Sequence, residues 1–94
     1  MTERAHLTGR QIIREVCEAA GVTRGEVIGP WRTYRVSAIR QIIAWRIRRE
    51  TPLSYQQIAQ MLERDHTTII YMERRAAWRM RGKASWRALV ENNN

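Results

Sequence analysis

Apolar residues recur at helical spacing along most of the chain. Ile13, Val16, Cys17 and Ala20 fall on one stripe, and Val36, Ile39, Ile43 and Ile47 on a second with Ile42 beside it. Ile58, Ala59 and Leu62 form a third, and Ile69, Met72, Ala76 and Met80 a fourth. Such stripes predict amphipathic helices, and nowhere do apolar and polar positions alternate long enough to predict a strand. Gly21, the pair Gly29-Pro30, the pair Thr51-Pro52 and Gly82 act as stops. The helices are therefore expected over residues 9–20, 24–28, 35–50, 55–62 and 66–80, with a short last one over 85–91. Three segments also fit the capping box: Thr8 with Gln11, Thr23 with Glu26, and Ser54 with Gln57. Leu7 with Ile12 and Leu53 with Ile58 fit the accompanying hydrophobic staple. The fold class is all-α, a small bundle around the long helix over 35–50.

The fourth and fifth predicted helices stand only a few residues apart, a joint that suits a helix-turn-helix crossing at a steep angle. Ala59 is small where the two helices come closest. Glu63 occupies the turn position at which glycine is expected, and a positive φ there would cost roughly 1 kcal/mol or slightly more. On a wheel of the fifth helix, Thr67, Tyr71, Arg74 and Trp78 lie opposite the apolar stripe, flanked by Thr68 and Arg75. The segment "LERDHTTIIYMERR" thus passes from a polar tip into a half-apolar helix.

Ninety-four residues make one domain over 1–94, with the ends 1–7 and 92–94 expected to fray. Charge changes the picture most. Seventeen basic against nine acidic residues give a net +8, and sixteen of the basic residues are Arg. Residues 1–29 are balanced, so the whole excess lies in residues 30–94. That asymmetry favours a polyanionic partner, nucleic acid before membrane. A merely soluble basic surface is the plainer alternative. Cys17 stands alone on an apolar stripe and reads as core filler, so no disulfide framework is expected. Two His and one Cys far apart give no expected metal site, and neither a cofactor motif nor a nucleophile–base pair is present, so no enzyme is expected. No apolar run is long enough for a membrane span, which makes a cytoplasmic, nucleoid-associated protein the default.

A helix facing outward with Thr, Tyr and Arg is suited to a DNA groove, because recognition helices lead with their N-terminal residues. Asp65 can accept from cytosine N4, His66 can meet a donor or an acceptor, and the methyl groups of Thr67 and Thr68 can touch thymine. Arg74, Arg75 and the helix start near Tyr55 and Gln56 are placed to hold phosphates. Asp65 as a plain N-cap is compatible with this, since a capping residue at the tip also points at the groove.

The string "IAQMLERDHTTIIYMERR" resembles the signature of the C-terminal DNA-binding domain (domain IV) of the DnaA replication initiators, and "WRTYRVSAIRQIIAWRIRRETPLSYQQI" is similar to the segment before it. The likeness covers about residues 8–80. It implies a helix-turn-helix of the Trp-repressor-like kind that reads a short, asymmetric, AT-rich box in the major groove. It further implies Arg32 in the adjacent minor groove and Arg40 on a phosphate. Base contacts then fall on Arg64, Asp65, His66, Thr67 and Thr68, and backbone contacts on Tyr55, Gln56, Ile70 and Arg75. Arg35, Tyr71 and Arg74 complete the expected DNA-binding set. Against the family pattern, the turn is short and carries Glu63, Met72 replaces a small residue, and Ala76 replaces a larger aliphatic.

The segment holds no phosphate-binding glycine loop, and an opening Met favours a stand-alone relative that binds boxes without an ATPase. The expected partner is double-stranded DNA, bound by a monomer, in replication control or transcription regulation. Two rivals remain. Trp31, Trp45, Trp78 and Trp86 could anchor a protein partner, and a basic surface could bind nucleic acid without specificity. Steep loss of affinity with salt separates nucleic-acid binding from an apolar interface.

Overall fold

The computed structural model describes residues 2–30 and 33–91, omitting the side chain of Thr2. Six helices follow in order: α1 (Thr2–Ala20), α2 (Arg24–Ile28), α3 (Tyr34–Glu50), α4 (Tyr55–Leu62), α5 (His66–Arg79) and α6 (Arg87–Glu91). No strand occurs among the described residues. The all-α expectation holds.

Two of the three capping boxes form. The Thr23 and Glu26 pair bond reciprocally at 3.0 Å, each backbone N–H donating to the other's side-chain oxygen. At α4 the Gln57 N–H donates to Ser54 Oγ at 3.1 Å and the Ser54 N–H to Gln57 Oε1 at 2.8 Å. Leu53 and Ile58, the staple pair beside it, are both fully buried. The start of α3 has a cap that the pattern did not flag: Thr33 Oγ1 accepts from the Val36 N–H at 3.1 Å.

The third box fails. Helix α1 begins at Thr2, so residues 2–7, expected to fray, continue the helix, and Thr8 lies inside it with its hydroxyl donating to the Arg4 carbonyl at 3.1 Å. A Thr whose hydroxyl turns back on its own helix mimics a cap in sequence without ending anything. Leu7 is 52% exposed and therefore staples nothing. Ala5 is buried with the rest of the core, which explains why the helix extends so far upstream. Gly9 sits mid-helix where α4 approaches: a Cβ there would stand 2.8 Å from Met61 Cε, at the end of a flexible side chain. The last helix is shorter than expected, starting at Arg87 instead of 85.

Helix α3 is the axis. Its buried residues Ile39, Ile42, Ile43, Ala44 and Ile47 meet α1 on one side and α5 on the other. Burying an aliphatic side chain of this size stabilises by roughly 1.5–3 kcal/mol. The stripe Ile69, Met72 and Ala76 of α5 is buried as expected, with Met80 half-buried at its end. Cys17 is a buried core residue, and that burial pushes its thiol pKa up.

Arginines finish the packing. Arg46 is buried, donates to Glu15 at 2.7 Å and to both carboxylate oxygens of Glu50 at 2.7 and 3.0 Å, and stacks 4.8 Å from the Trp86 ring. The Glu50 hydrogen bond, more than any other influence, raises the Arg46 pKa above its ordinary value. One side chain thus joins α1, α3 and the approach to α6. Trp45 and Trp86 pack against the core, so two of the four tryptophans serve the fold. Trp31 lies outside the described residues.

Candidate nucleic-acid interface

The turn between α4 and α5 closes in a Schellman arrangement. The Arg64 N–H donates to the Ala59 carbonyl at 2.9 Å and the Glu63 N–H to the Gln60 carbonyl at 3.4 Å. Glu63 takes the left-handed conformation this needs, with φ +54° and ψ +47°. It is the one non-glycine residue with positive φ among those described. The strained option for the turn is therefore the one adopted.

Arg64 follows immediately, and its side chain explains how the turn is held. Its guanidinium donates to the carbonyls of Ile28 at 2.9 Å and Gly29 at 2.7 Å, at the end of α2. It also reaches the Leu62 and Glu63 carbonyls at 3.2 and 3.1 Å. Arg64 is expected as a base contact; in this structure its fork is directed to backbone acceptors. Arg40 grips the same short helix, its Nε donating to the Val27 carbonyl at 2.8 Å. It is buried, and burial first, then the Arg64 charge, lowers its pKa. Arg35, also in the expected DNA-binding set, donates from its guanidinium to the carbonyls of Ala20 and, at 3.3 Å, Val90, at the ends of α1 and α6. Arginines at helix C-termini satisfy orphan carbonyls and complement the helix dipole, so these three positions have a structural reason.

The tip of α5 is what the pattern promised. Asp65 caps the helix: its carboxylate accepts from the Thr67 N–H at 3.3 Å and from the Thr67 hydroxyl. The Thr67 side-chain bond, above all, holds the Asp65 pKa below its usual value. His66 Nδ1 stands 4.0 Å from the Asp65 carboxylate, and both side chains are largely open to solvent. Thr67, Thr68, Tyr71, Arg74 and Arg75 are exposed along the same helix, and Ile70 is half-buried at the boundary. A cleft between α3 and α5, lined in part by Ser37, Arg40, Arg64, Thr68 and Tyr71, brings two arginines beneath this face.

At the start of α4, Gln56 is exposed, while Tyr55 is half-buried. The Tyr55 hydroxyl donates to Glu73 Oε1 at 2.5 Å and its ring lies 4.4 Å below the Arg48 guanidinium. That pairing draws the one acidic side chain of α5 towards α4. Sequence spacing gave no sign of it, because residues eighteen positions apart on different helices carry no periodic signal. The same holds for Arg79, which donates to Gln41 Oε1 at 2.9 Å and to the Tyr34 hydroxyl at 2.8 Å. Arg32, the expected minor-groove residue, lies outside the described residues. Among those described, no group of three or more His, Cys, Asp or Glu could hold a metal ion, and no helix is long and apolar enough to cross a membrane.

Residues 10–75 match the family described as the bacterial dnaA protein helix-turn-helix. The chain belongs to this family. Among curated relatives, the chromosomal replication initiator protein DnaA of Thermomicrobium roseum is 36% identical over 69 residues, covering 72% of this chain and 15% of the relative. The protein of the same name from Herpetosiphon aurantiacus is 32% identical over 71 residues, covering 74% of this chain and 15% of the relative. The matched region thus spans about a seventh of each DnaA relative's length. No solved structure gives a significant match. Membership of a DnaA helix-turn-helix family points to DNA binding, and the family is of a non-catalytic domain.

Proposed function

We propose that this domain is a sequence-specific reader of double-stranded DNA that recognises a DnaA-box-like site as a monomer. The observation that carries the reading is the exposed tip of α5, where His66, Thr67 and Thr68 stand clear of the core beside Arg74 and Arg75. In this reading the tip enters the major groove, with His66 and the two Thr on base edges and Asp65 holding the first turn in shape. Arg74, Arg75, Gln56 and the start of α4 hold phosphates, and Tyr71 and Ile70 line the helix's flank against the backbone. Arg40 supplies positive potential from the wall of the cleft, and Arg64 sets the angle of α5 in place of touching a base. Arg32 enters the neighbouring AT-rich minor groove, where the negative potential favours a guanidinium. An asymmetric box needs no two-fold partner. The biological outcome is occupancy of such boxes, at origins or at promoters, by a DNA-associated cytoplasmic protein.

Of the tryptophans that could anchor a protein partner, Trp45 and Trp86 are packed against the core, while Trp78 is exposed.

Binding of wild type, His66→Ala and Arg75→Ala to a duplex bearing the family's box and to a scrambled duplex, at one physiological salt concentration, tests the proposal. His66→Ala should weaken box binding about tenfold and leave the scrambled duplex unchanged, in keeping with roughly 1–3 kcal/mol per base contact. Arg75→Ala should weaken both equally, as a phosphate contact does. Equal wild-type affinity for the two duplexes would overturn specific reading and leave a non-specific basic binder.

A further inference from the structure

The far end of α5 has features that duplex reading does not use. Among the described residues, Tyr34 and Trp78 are strongly exposed aromatic side chains that lie on or against α5 and that the duplex reading leaves unused. Trp78 is 63% exposed near the helix's C-terminal end, on the side away from the buried stripe. Arg75 lies 6.0 Å over its ring, and Arg79, Arg81 and Lys83 line a shallow hollow with it. Arg79 in turn stands 5.0 Å over the Tyr34 ring, which carries this basic and aromatic surface onto the start of α3. Glu73, the only acidic residue from Thr67 to Ala88, is bonded to Tyr55 on α4.

Geometry separates this surface from the reading tip. Trp78 is twelve residues beyond His66, about 18 Å along the helix, whereas the major groove is about 12 Å wide. A duplex offers base edges within its grooves and keeps base faces stacked, so an open indole has nothing to stack on there. A single strand offers both things this surface is built to take. Its phosphates meet the cations, and its unstacked bases meet the rings.

We propose that Trp78, with Tyr34, Arg75, Arg79, Arg81 and Lys83, forms a second nucleic-acid site that binds single-stranded DNA by stacking a base on the open indole. Taken with the duplex reading, the chain then holds a duplex at one end of α5 and an unpaired strand at the other. Arg75 is shared with the duplex reading, while the open indole of Trp78 and the cations beyond it stand without that reading.

The test measures binding of the whole chain to a labelled twelve-residue oligothymidylate and to the box duplex, with wild type, Trp78→Ala and Trp78→Phe. Trp78→Ala removes an exposed side chain, and a melting curve checks that its fold is retained. The single strand should bind wild type, weaken about 5- to 100-fold with Trp78→Ala, and largely recover with Trp78→Phe, which keeps an aromatic face. Box-duplex affinity should stay within about twofold of wild type in both variants, a stacking change having no duplex counterpart. His66→Ala should act on the duplex alone, so failure of the single-strand site and failure of duplex reading give different patterns. Equal oligothymidylate binding by wild type and Trp78→Ala would overturn the proposal, as would no oligothymidylate binding where the duplex binds. A decaglutamate peptide that bound with the same Trp78 dependence would overturn it too, assigning the surface to an acidic protein partner.

Discussion

Helices α1 and α4 end in the same hydrogen-bonded turn with different residues at its critical position. At the end of α1 the Val22 N–H donates to the Cys17 carbonyl at 3.0 Å and the Gly21 N–H to the Glu18 carbonyl at 3.3 Å, with Gly21 at φ +72°. The end of α4 repeats both bonds around Glu63 at φ +54°. Glycine takes this conformation without steric cost, whereas an L side chain crowds its own carbonyl by roughly 1–2 kcal/mol. What differs is the surrounding support. Beyond Gly21 an added Cβ would meet nothing within 4 Å, so glycine is there for backbone freedom alone. Beyond Glu63, the Arg64 guanidinium binds the two carbonyls just before it and two more, of Ile28 and Gly29, where α2 ends. The turn between α4 and α5 is fixed at one angle by tertiary bonds strong enough to override the local preference.

The largest effect on this comparison should come from Arg64→Ala. It strips the α4 turn of its support, and we expect a loss of about 2–3 kcal/mol by chemical denaturation, since hydrogen bonds from a charged donor contribute about 1.5–3 kcal/mol. Arg64→Lys should recover only part of that, because an ammonium lacks the fork that spans several carbonyls. Stability unchanged by Arg64→Ala would show that the turn holds itself. Next is Gly21→Ala, which imposes on α1 the strain α4 already carries and should cost about 1 kcal/mol. Glu63→Gly runs the comparison in reverse. Relief of strain exceeds the added chain entropy only slightly, so the melting temperature should rise by a gain of about 1 kcal/mol or less. A fall instead would mean that the Glu63 side chain contributes more than its backbone costs.

The smallest effect concerns the cap just beyond the turn. The Asp65 pKa is depressed in the folded chain, so the stability it lends is complete above its unfolded value, near 4, and is lost as pH falls through the lower folded value. Asp65→Asn keeps a good capping residue, so neutral-pH stability should barely move while the acid-side decline below about pH 4 becomes shallower. An unaltered acid limb in the variant would show that other carboxylates account for the decline.

Much of this architecture is legible along the chain because it rests on periodic or local signals. The stripe through Ile69, Met72 and Ala76 and the boxes at Thr23 and Ser54 each involve residues within a few positions of one another. Thr8 shows the limit of a local signal: a box-like spacing is necessary for a cap but says nothing about whether the chain upstream is already helical. The exposed tip from His66 to Thr68 is legible for the same periodic reason. The fates of Arg35, Arg40 and Arg64 are not. A long side chain can reach solvent or a carbonyl tens of residues away, and only the closed bundle decides which. The arginine surplus pointed to a polyanionic partner, while several arginines that compose it serve the fold.

The Arg64 fork has one more consequence. The acceptors of its guanidinium are uncharged carbonyls at short range. Such contacts are screened little by added electrolyte, whereas phosphate contacts at an exposed surface are lost steeply with it. The frame that aims α5 should therefore stay rigid across a salt titration in which DNA is released. The slope of log affinity against log salt then counts displaced counterions without a hidden change of shape, and the number of phosphates this domain covers can be read from it directly.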